Sequence, residues 1–565
     1  MNYQVGASRV EMKFDAMGVV MLGWGDPNHK VKGQATPLYA RAVAIKDPNT
    51  GKRLVMICLD SCFITEALRY AVVEELKKTA GIEDSEIIIS ATHTHSAPGG
   101  FSSYLVYSLS TNGFNPKIFN SYYQGCIQSA NEALARMEPA EIRFTASAFE
   151  KDKPVAFNRS VRSWNRNPDV QKHSRFERNL AVDREMQLLR FDRPDGTPIA
   201  VWNWFAVHCT SMHRDHYLMH SDNKGVAMTM MEDRMKKLNP EFVGVFANGA
   251  AGDVSPNFKY YLGIKEKRGA DRKDETSCRI NAALQSDHAL RLFENAKSLP
   301  PLAVKLDGIF EYDDFSNITI DPEFADGNPA ARTAPAEVGI SQLSGTAEGR
   351  GAPLFIIVMM VVSVRLSQLY NFVVDRFSGK KTRWPFTPDP LQGKKITVIA
   401  SGRGEVLETS RVGQLIFPGF FHPTIASLKR WARRGVLKER PFTPQILPIQ
   451  IACIGPIAIA AVPAEFTTVS GWRLRATVEP ILKKSGIDRV VIQGYANAYS
   501  SYVVTPEEYA QQSYEGGCTH FGIYTLPGYQ TVFKKLATTL NEKGQANSLR
   551  PKQPTPEYWE TIKIH

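Results

Sequence analysis

Residues 85–100 read SEIIISATHTHSAPGG, and the architecture of the chain follows from how this stretch starts and stops. Ile87, Ile88 and Ile89 form a short β-branched run, which predicts a buried strand. The run ends at Ala91, and His93, Thr94 and His95 come before Pro98, Gly99 and Gly100 break regular structure. Histidines at i and i+2 of an extended segment point to one side, where one ring can hold a metal and the other can move a proton. An HxH pair alone is as readily a pair of packed or surface histidines. What lifts it is recurrence, because other polar stretches also stand directly after strands.

Working outward, RLVMICL at 53–59 is a strand ending at Asp60, and 65–79 is a helix with Leu68, Val72, Val73 and Leu76 at helical spacing. A second helix is expected over 118–136. Strands resume at 187–191 and 198–207, the latter running straight into His208. SMHRDHYLMHSDNKG then adds His213, His216, His220, Asp222 and Asn223 ahead of a helix near 225–238. FVGVFA at 242–247 opens into NGAAGDVSPN, whose glycines let backbone approach a substrate oxygen while Asp253 and Ser255 are presented; the same composition also makes plain tight turns. QILPIQIACIGPIAIAAVP at 445–463 alternates around Gly455-Pro456, a hairpin, and leads to Glu465 at the head of a helix carrying Leu474, Val478 and Leu482. RVVIQ at 489–493 precedes a tyrosine-dense segment containing Tyr499 and Tyr502.

Five strands thus deliver His93/His95, His208, Asp253/Ser255, Glu465 and Tyr502 at their C-terminal ends, the edge where α/β proteins form ligand sites. Two imidazoles and a carboxylate are a catalytic zinc set that leaves a position for water. From the residues alone the chain reads as a mixed α/β, metal-assisted hydrolase.

Composition excludes little else. A net charge of +11 suits anionic surfaces such as membrane headgroups or acidic metabolites, and equally a solvated basic face. No zinc finger, phosphate-binding glycine loop or arginine-rich arm occurs, so nucleic acid is not expected as a partner. The seven cysteines include no CxxC pair and are expected as buried thiols in a reducing compartment. MNYQVGASRVEMKFD has no basic stretch followed by an apolar core, so a cytoplasmic or peripherally membrane-associated protein is expected. PLFIIVMMVVSV at 353–364, closed by Arg365, is too short to span a bilayer. It is expected as a buried strand or helix, with shallow membrane contact beside Lys380, Lys381 and Arg383 as the alternative. The charged stretch 262–276 is expected to be exposed, and 320–350 irregular.

A set of motifs in fixed order carries more. ATHTHSAPGG (91–100), NRS (158–160), NWFAVH with TSM (203–212), SDNKG (221–225), GDVSPN (252–257), PAEFTTVSGWRLR (463–475) and YSSYVVTPEEYAQQSYE (499–515) together resemble the neutral ceramidase family, the non-lysosomal neutral/alkaline ceramidases. The resemblance covers roughly residues 3–540. It implies hydrolysis of the amide of N-acylsphingosine to sphingosine and fatty acid, with one zinc held by His93, His208, Glu465 and Tyr502, and Tyr499 as the fallback ligand. It further implies His95 as general acid/base and Arg159 as a holder of the substrate or its oxyanion. Ser255 lies in the family's serine motif, read as nucleophile or as substrate positioner; a metal-activated water makes the second role the favoured one.

The departures are few. Ala97 and Ala464 replace glycines usual in the family, and Cys209 follows a ligand histidine as a packing residue. The run at 353–364 matches no family motif, and neither a secretory signal nor the family's C-terminal immunoglobulin-like β-sandwich is recognised. The organisation expected is one catalytic domain over 1–545, with an insert-like region at 320–395 and a tail at 546–565. The competing readings are an intracellular hydrolase of another N-acyl amide or ester lipid, a phosphoesterase, which would need more carboxylates, and a non-catalytic lipid-binding homologue.

Overall fold

Two sheets organise the chain, and in each the pairing switches from antiparallel to parallel at an edge. The computed structural model describes residues 2–349, 351–378, 389–402, 405–406, 423–435 and 439–564. The larger sheet comprises β1 (Tyr3–Glu11), β2 (Tyr39–Lys46), β3 (Arg53–Leu59), β4 (Ile87–Ala91), β5 (Glu138–Ala148), β6 (Glu185–Asp192), β7 (Pro198–Trp204) and β8 (Val243–Ala247). Its order is β8-β7-β6-β5-β1-β2-β3-β4. The inner pairs are antiparallel, whereas β3/β4 and β7/β8 are parallel. The smaller sheet, β9 (Leu306–Asp314), β10 (Ile446–Ile454), β11 (Ile457–Ala461) and β12 (Arg489–Gln493), ends in the parallel pair β11/β12. The longer helices are α1 (Glu66–Ala80), α2 (Pro116–Ala135), α3 (Asp222–Met235), α4 (Asp274–Ala296), α5 (Leu354–Ser378), α6 (Pro423–Arg433), α7 (Thr468–Leu482) and α8 (Thr525–Asn541).

Parallel neighbours need a crossover, and α1, α3 and α7 supply the three. The first shows why the local sequence obliges. The Thr65 side chain caps α1 by accepting from Leu68 N, Gly81 ends it in the left-handed region at φ 64°, and Leu68, Val72, Val73 and Leu76 form its buried stripe. The chain then enters β4, where Ile87, Ile88 and Ile89 have no exposed surface, a burial worth about 1.5–3 kcal/mol per side chain. The free edge of β4 is covered from the second sheet. Asn497 N donates to Ile89 O at 2.7 Å, and Asn497 Oδ1 accepts from Ile89 N at 3.1 Å.

Successive residues of β3 and β4 face two separate cores. Met56 and Ile88 join the core that includes Trp202 and Phe293, while Ile57 and Ile89 join the one under α1 and α2. Across this sheet Arg41 on β2 is fully buried. Its Nε donates to Glu232 Oε1 on α3 at 2.9 Å, and Nη1 to Asp60 Oδ2 just past β3 at 3.3 Å. One guanidinium therefore joins the first crossover unit to the second.

β9 and β10 pair in unbroken register from Leu306↔Ile454 to Asp314↔Ile446, and Phe315 N still donates to Gln445 O at 2.8 Å. Residues 315–445 leave and return through that neck, carrying α5 and α6. The hairpin read around Gly455 is present as β10/β11, with Gly455 at φ 56°.

Two expectations are corrected. The apolar run at 353–364 is not buried: it opens α5, where only Ile357, Met360 and Val361 pack against Val338, Ile340 and Val398, and the other described side chains are largely exposed. A run apolar on every side carries no polar face to mark which side meets solvent. Among the described residues no helix is long and apolar enough to cross a membrane. The stretch 262–276 is not simply exposed either, since Glu266 and Arg268 are buried on a small hairpin, with Arg268 paired to Asp215 at 2.9 Å. Near the C-terminus α9 (Pro556–Ile562) buries Tyr558 and Ile562, and Tyr558 Oη donates to Ser103 O at 2.7 Å. All seven cysteines are buried free thiols.

Candidate metal centre

After β4 the backbone turns sharply, with His93 at φ 72°, a left-handed conformation uncommon for a side-chain-bearing residue and concentrated at functional sites. The His93 and His95 rings therefore meet through this turn, not through the extended alternation their spacing suggests. Their Nε2 atoms are 3.1 Å apart. His93 Nδ1 donates to Cys62 O, just past β3, at 2.6 Å. Beyond β7, which stops at Trp204 rather than 207, His208 Nδ1 donates to Ala251 O at 2.7 Å. A ring whose Nδ1–H is held by a carbonyl turns the Nε2 lone pair inward.

Glu465 does not start the helix. It lies on a two-residue strand, Glu465–Phe466, parallel to Tyr502–Val503, with Glu465 directly opposite Tyr502. Its Oε2 stands 3.1 Å from His208 Nε2 and 3.5 Å from His93 Nε2. The ligand atoms of His93, His208 and Glu465 all lie within 4.8 Å of one another. Burial alone would raise the Glu465 carboxyl, but His93, His208 and the Tyr499 phenol hold it far below the usual carboxylate range. Burial, aided by His208 and opposed by Glu465, lowers His93 to about 4, and burial with both neighbouring rings keeps His95 well below an ordinary histidine. Two imidazole lone pairs and a carboxylate oxygen are all acceptors and cannot bond one another, so a cation fits among them. A second grouping, Cys62 with His93 and His95, also lies close enough. It is the poorer set, because burial keeps the Cys62 thiol protonated and His93 Nδ1 is already committed to a carbonyl.

Tyr502 Oη lies 3.5 Å from His208 Nε2 and accepts from Arg159 Nη2 at 2.9 Å. Tyr499 instead donates to Glu465 Oε1, and Tyr495 to Oε2 at 3.3 Å. Tyr502 thus faces the histidines, while Tyr499 steadies the carboxylate. Arg159 is locked by Glu515, Nε to Oε1 at 2.8 Å, and by Gly252 O at 2.8 Å. Ser255 is buried; its Oγ accepts from Asn257 N at 2.8 Å and sits against the Glu348 carboxylate. Asp253 serves the scaffold, accepting from Asn158 Nδ2 at 2.7 Å and from Thr468 N at 2.8 Å at the start of α7. His213 pairs with Asp274 at 3.2 Å and His220 Nδ1 accepts from Asp222 N at 2.8 Å, so both belong to neighbouring turns. Cys209 packs against Asn223.

Three residues escaped sequence reasoning. Glu515 sits inside the tyrosine block but gives no local sign that it reaches Arg159. Glu348 comes from the 315–445 excursion and accepts from Thr210 Oγ1 and Asn257 Nδ2, each at 3.1 Å. Asn248, the first residue after β8, links the ends of all three crossover units: Nδ2 donates to Thr92 O at 2.8 Å, Oδ1 accepts from Val207 N at 3.3 Å, and its own carbonyl accepts from Gly494 N at 3.0 Å. An asparagine directly after a strand was the available signal.

A family model described as neutral/alkaline non-lysosomal ceramidase, N-terminal, matches residues 3–386 and 432–531. The chain belongs to the neutral/alkaline ceramidase family. It is a ceramidase-like amidohydrolase. Among the family's members, the neutral ceramidase of Pseudomonas aeruginosa is 32% identical over 546 residues, covering 96% of this chain and 72% of that protein. Neutral ceramidase B of Dictyostelium discoideum is 31% identical, covering 98% and 74%. A solved ceramidase complexed with C2 superposes with a TM-score of 0.80 at 31% identity, covering 98% of this chain and 77% of that one. Ala97 and Ala464 stand outside the set of positive-φ residues, so an alanine strains the backbone at neither position.

One ceramidase glycine is tighter. Gly23 has φ 122°, and a Cβ there would overlap the His95 ring. Gly23→Ala is expected to displace that imidazole and lower kcat about 10²-fold while the grouping of His93, His208 and Glu465 is left intact. Retention of full activity would show that the ring's position is not critical.

Proposed function

We propose that this chain is a zinc-dependent ceramidase, cleaving the N-acyl amide of ceramide to sphingosine and fatty acid. The observation that carries the reading is the convergence of His93, His208 and Glu465 in a chain of this family. His93, His208, Glu465 and Tyr502 would hold one zinc. When bound, zinc polarises the amide carbonyl and makes water acidic enough to act as nucleophile near neutral pH.

The chain's own residues supply the rest. His95 is kept neutral by burial and by the adjacent rings, so it is free to accept the proton of the attacking water and return it to the leaving amine. Arg159 stays charged, and its Nη2, already on Tyr502 Oη, is placed with that phenol to stabilise negative charge growing on the amide oxygen. Glu515 keeps the guanidinium from swinging away. Ser255 binds the hydroxyl end of the substrate. The charge of Arg159, against burial, lowers the proton affinity of the neighbouring Glu348 carboxylate, which makes it a weak base for activating a serine.

The test is release of fatty acid from a panel of N-acyl lipids, ceramide included, with and without a zinc chelator. Chelator-sensitive cleavage of ceramide is expected; cleavage of another amide alone would reassign the substrate, and chelator-resistant cleavage would reject the metal. Ser255→Ala is expected to change selectivity between ceramide and amides lacking the hydroxyls by about tenfold, an effect near 1.4 kcal/mol, with turnover of the latter little altered. An acyl-enzyme trapped in the wild type would instead make Ser255 the nucleophile.

A further inference from the structure

Helix α5 is the feature that the chemistry leaves unexplained. Among the described residues, eleven of the twenty large apolar side chains that are exposed lie on this one helix. In its second half Leu366, Leu369, Phe372, Val373 and Phe377 recur at intervals of three or four, making one unpartnered stripe; Phe372 is 70% and Phe377 85% exposed. At 25 residues it is about 37 Å long, and Arg365 near its middle, with Asp375 and Arg376 near its end, interrupts the apolar run.

Charge says what covers it. Residues 351–440 hold fifteen Lys and Arg against five Asp and Glu, so this window carries ten of the chain's eleven net positive charges. Lys395 and Arg440 are turned inward, onto Glu337 O and Glu66, but the other thirteen cations still outnumber the five acids, and an exposed apolar stripe inside such a segment matches the two halves of an anionic lipid surface, acyl chains and headgroups. A second protein copy would have to face the same positive charge. Position says what it is for. The segment leading into α5 carries Glu348, in contact with the Ser255 loop, and Gly349, which lies so close to Trp24 that a Cβ would meet its ring at 2.8 Å. Trp24 in turn packs edge-on against His95, ring centres 5.0 Å apart. The helix thus begins five residues beyond the rim of the metal centre.

We propose that α5 is an interfacial anchor: it lies in the headgroup region of an anionic bilayer and holds the mouth of the site against it, so that a lipid amide enters without crossing water. The exposed stripe and its basic surroundings stand apart from the proposed chemistry; the purpose of the anchor rests on that reading. The test is flotation of the full chain with phosphatidylcholine vesicles containing or lacking 30% phosphatidylserine. The wild type is compared with the triple variant Leu369→Ser, Phe372→Ser, Phe377→Ser, all on the exposed stripe. The wild type is expected to bind the anionic vesicles, to be released about tenfold by 0.5 M salt, and to bind equally after zinc chelation. The variant is expected to bind at least about tenfold more weakly, to cleave a water-soluble short-chain amide normally and to lose about tenfold in rate on vesicle-embedded ceramide. Equal flotation of variant and wild type, or a wild-type dimer that the variant dissolves, would overturn the anchor. Loss of all hydrolysis with vesicle binding intact would overturn the ceramidase reading and leave the anchor standing.

Discussion

Glu465→Gln is expected to cut amide hydrolysis by about 10³-fold, roughly 4 kcal/mol of barrier, with the fold unchanged. The amide keeps the shape of the carboxylate and can still accept from Tyr499, so the packing between Glu465–Phe466 and Tyr502–Val503 survives. What it loses is charge. In the native site the anion stands 3.1 Å and 3.5 Å from two imidazole nitrogens, and glutamine would present an N–H donor to the same lone pairs. The donor satisfies them with hydrogen bonds and removes the reason for a cation to enter. Zinc per chain, measured by atomic emission, is expected to fall from one to near zero while the circular dichroism spectrum is retained. A variant that kept its zinc and its turnover would dismiss Glu465 as a ligand.

The second large effect is on stability. Arg41→Met is expected to destabilise the chain by about 3–5 kcal/mol, because it strips the buried Asp60 carboxylate of its guanidinium and leaves it beside a Glu232 that keeps only Arg9. Even with Arg41 present, burial raises Asp60 to about 6. A folded-state value above the unfolded one means that the folded chain binds more protons, so stability falls as pH rises through that interval. Removing the arginine pushes the carboxyl up further. The deficit measured by urea unfolding is therefore expected to be larger at pH 8 than at pH 5. A deficit independent of pH would mean that lost packing dominates over uncompensated charge.

What the sequence disclosed and what it concealed divide by range. The β-branched run at 87–89, the Thr65-capped helix and the turn at Gly455 depend on neighbours a few residues away, and all three stand where the pattern puts them. His93, His208 and Glu465 could be nominated because each follows a strand, but their meeting depends on three crossover units docking, and Asn248, which ties those ends together, was not singled out. Glu515 and Glu348 lie 356 and 138 residues from the groups they bond, Arg159 and Thr210, and no local periodicity encodes such a pairing. Tyr499 and Tyr502 could not be separated by spacing; the left-handed turn at Ser501, φ 69°, intervenes between them. The apolar run at 353–364 departs from its expected burial because hydrophobicity measures the cost of meeting water, not whether a protein neighbour is there to prevent it.

The neck formed by β9 and β10 has an engineering corollary. Since Asp314 and Ile446 are ladder partners, the two points where the 315–445 excursion departs and rejoins are about 5 Å apart, the separation that an ordinary short loop closes. Length can be added to or removed from such an excursion at little entropic cost, since closure cost grows only with the logarithm of loop size. The surface carried by α5 is therefore modular. It can be shortened, exchanged or retuned toward a different interface while the strands that aim His93, His208 and Glu465 keep their register, provided the flanking segments keep their bonds to the body of the chain, such as Ala334 N to Phe521 O, and still deliver a carboxylate where Glu348 now stands.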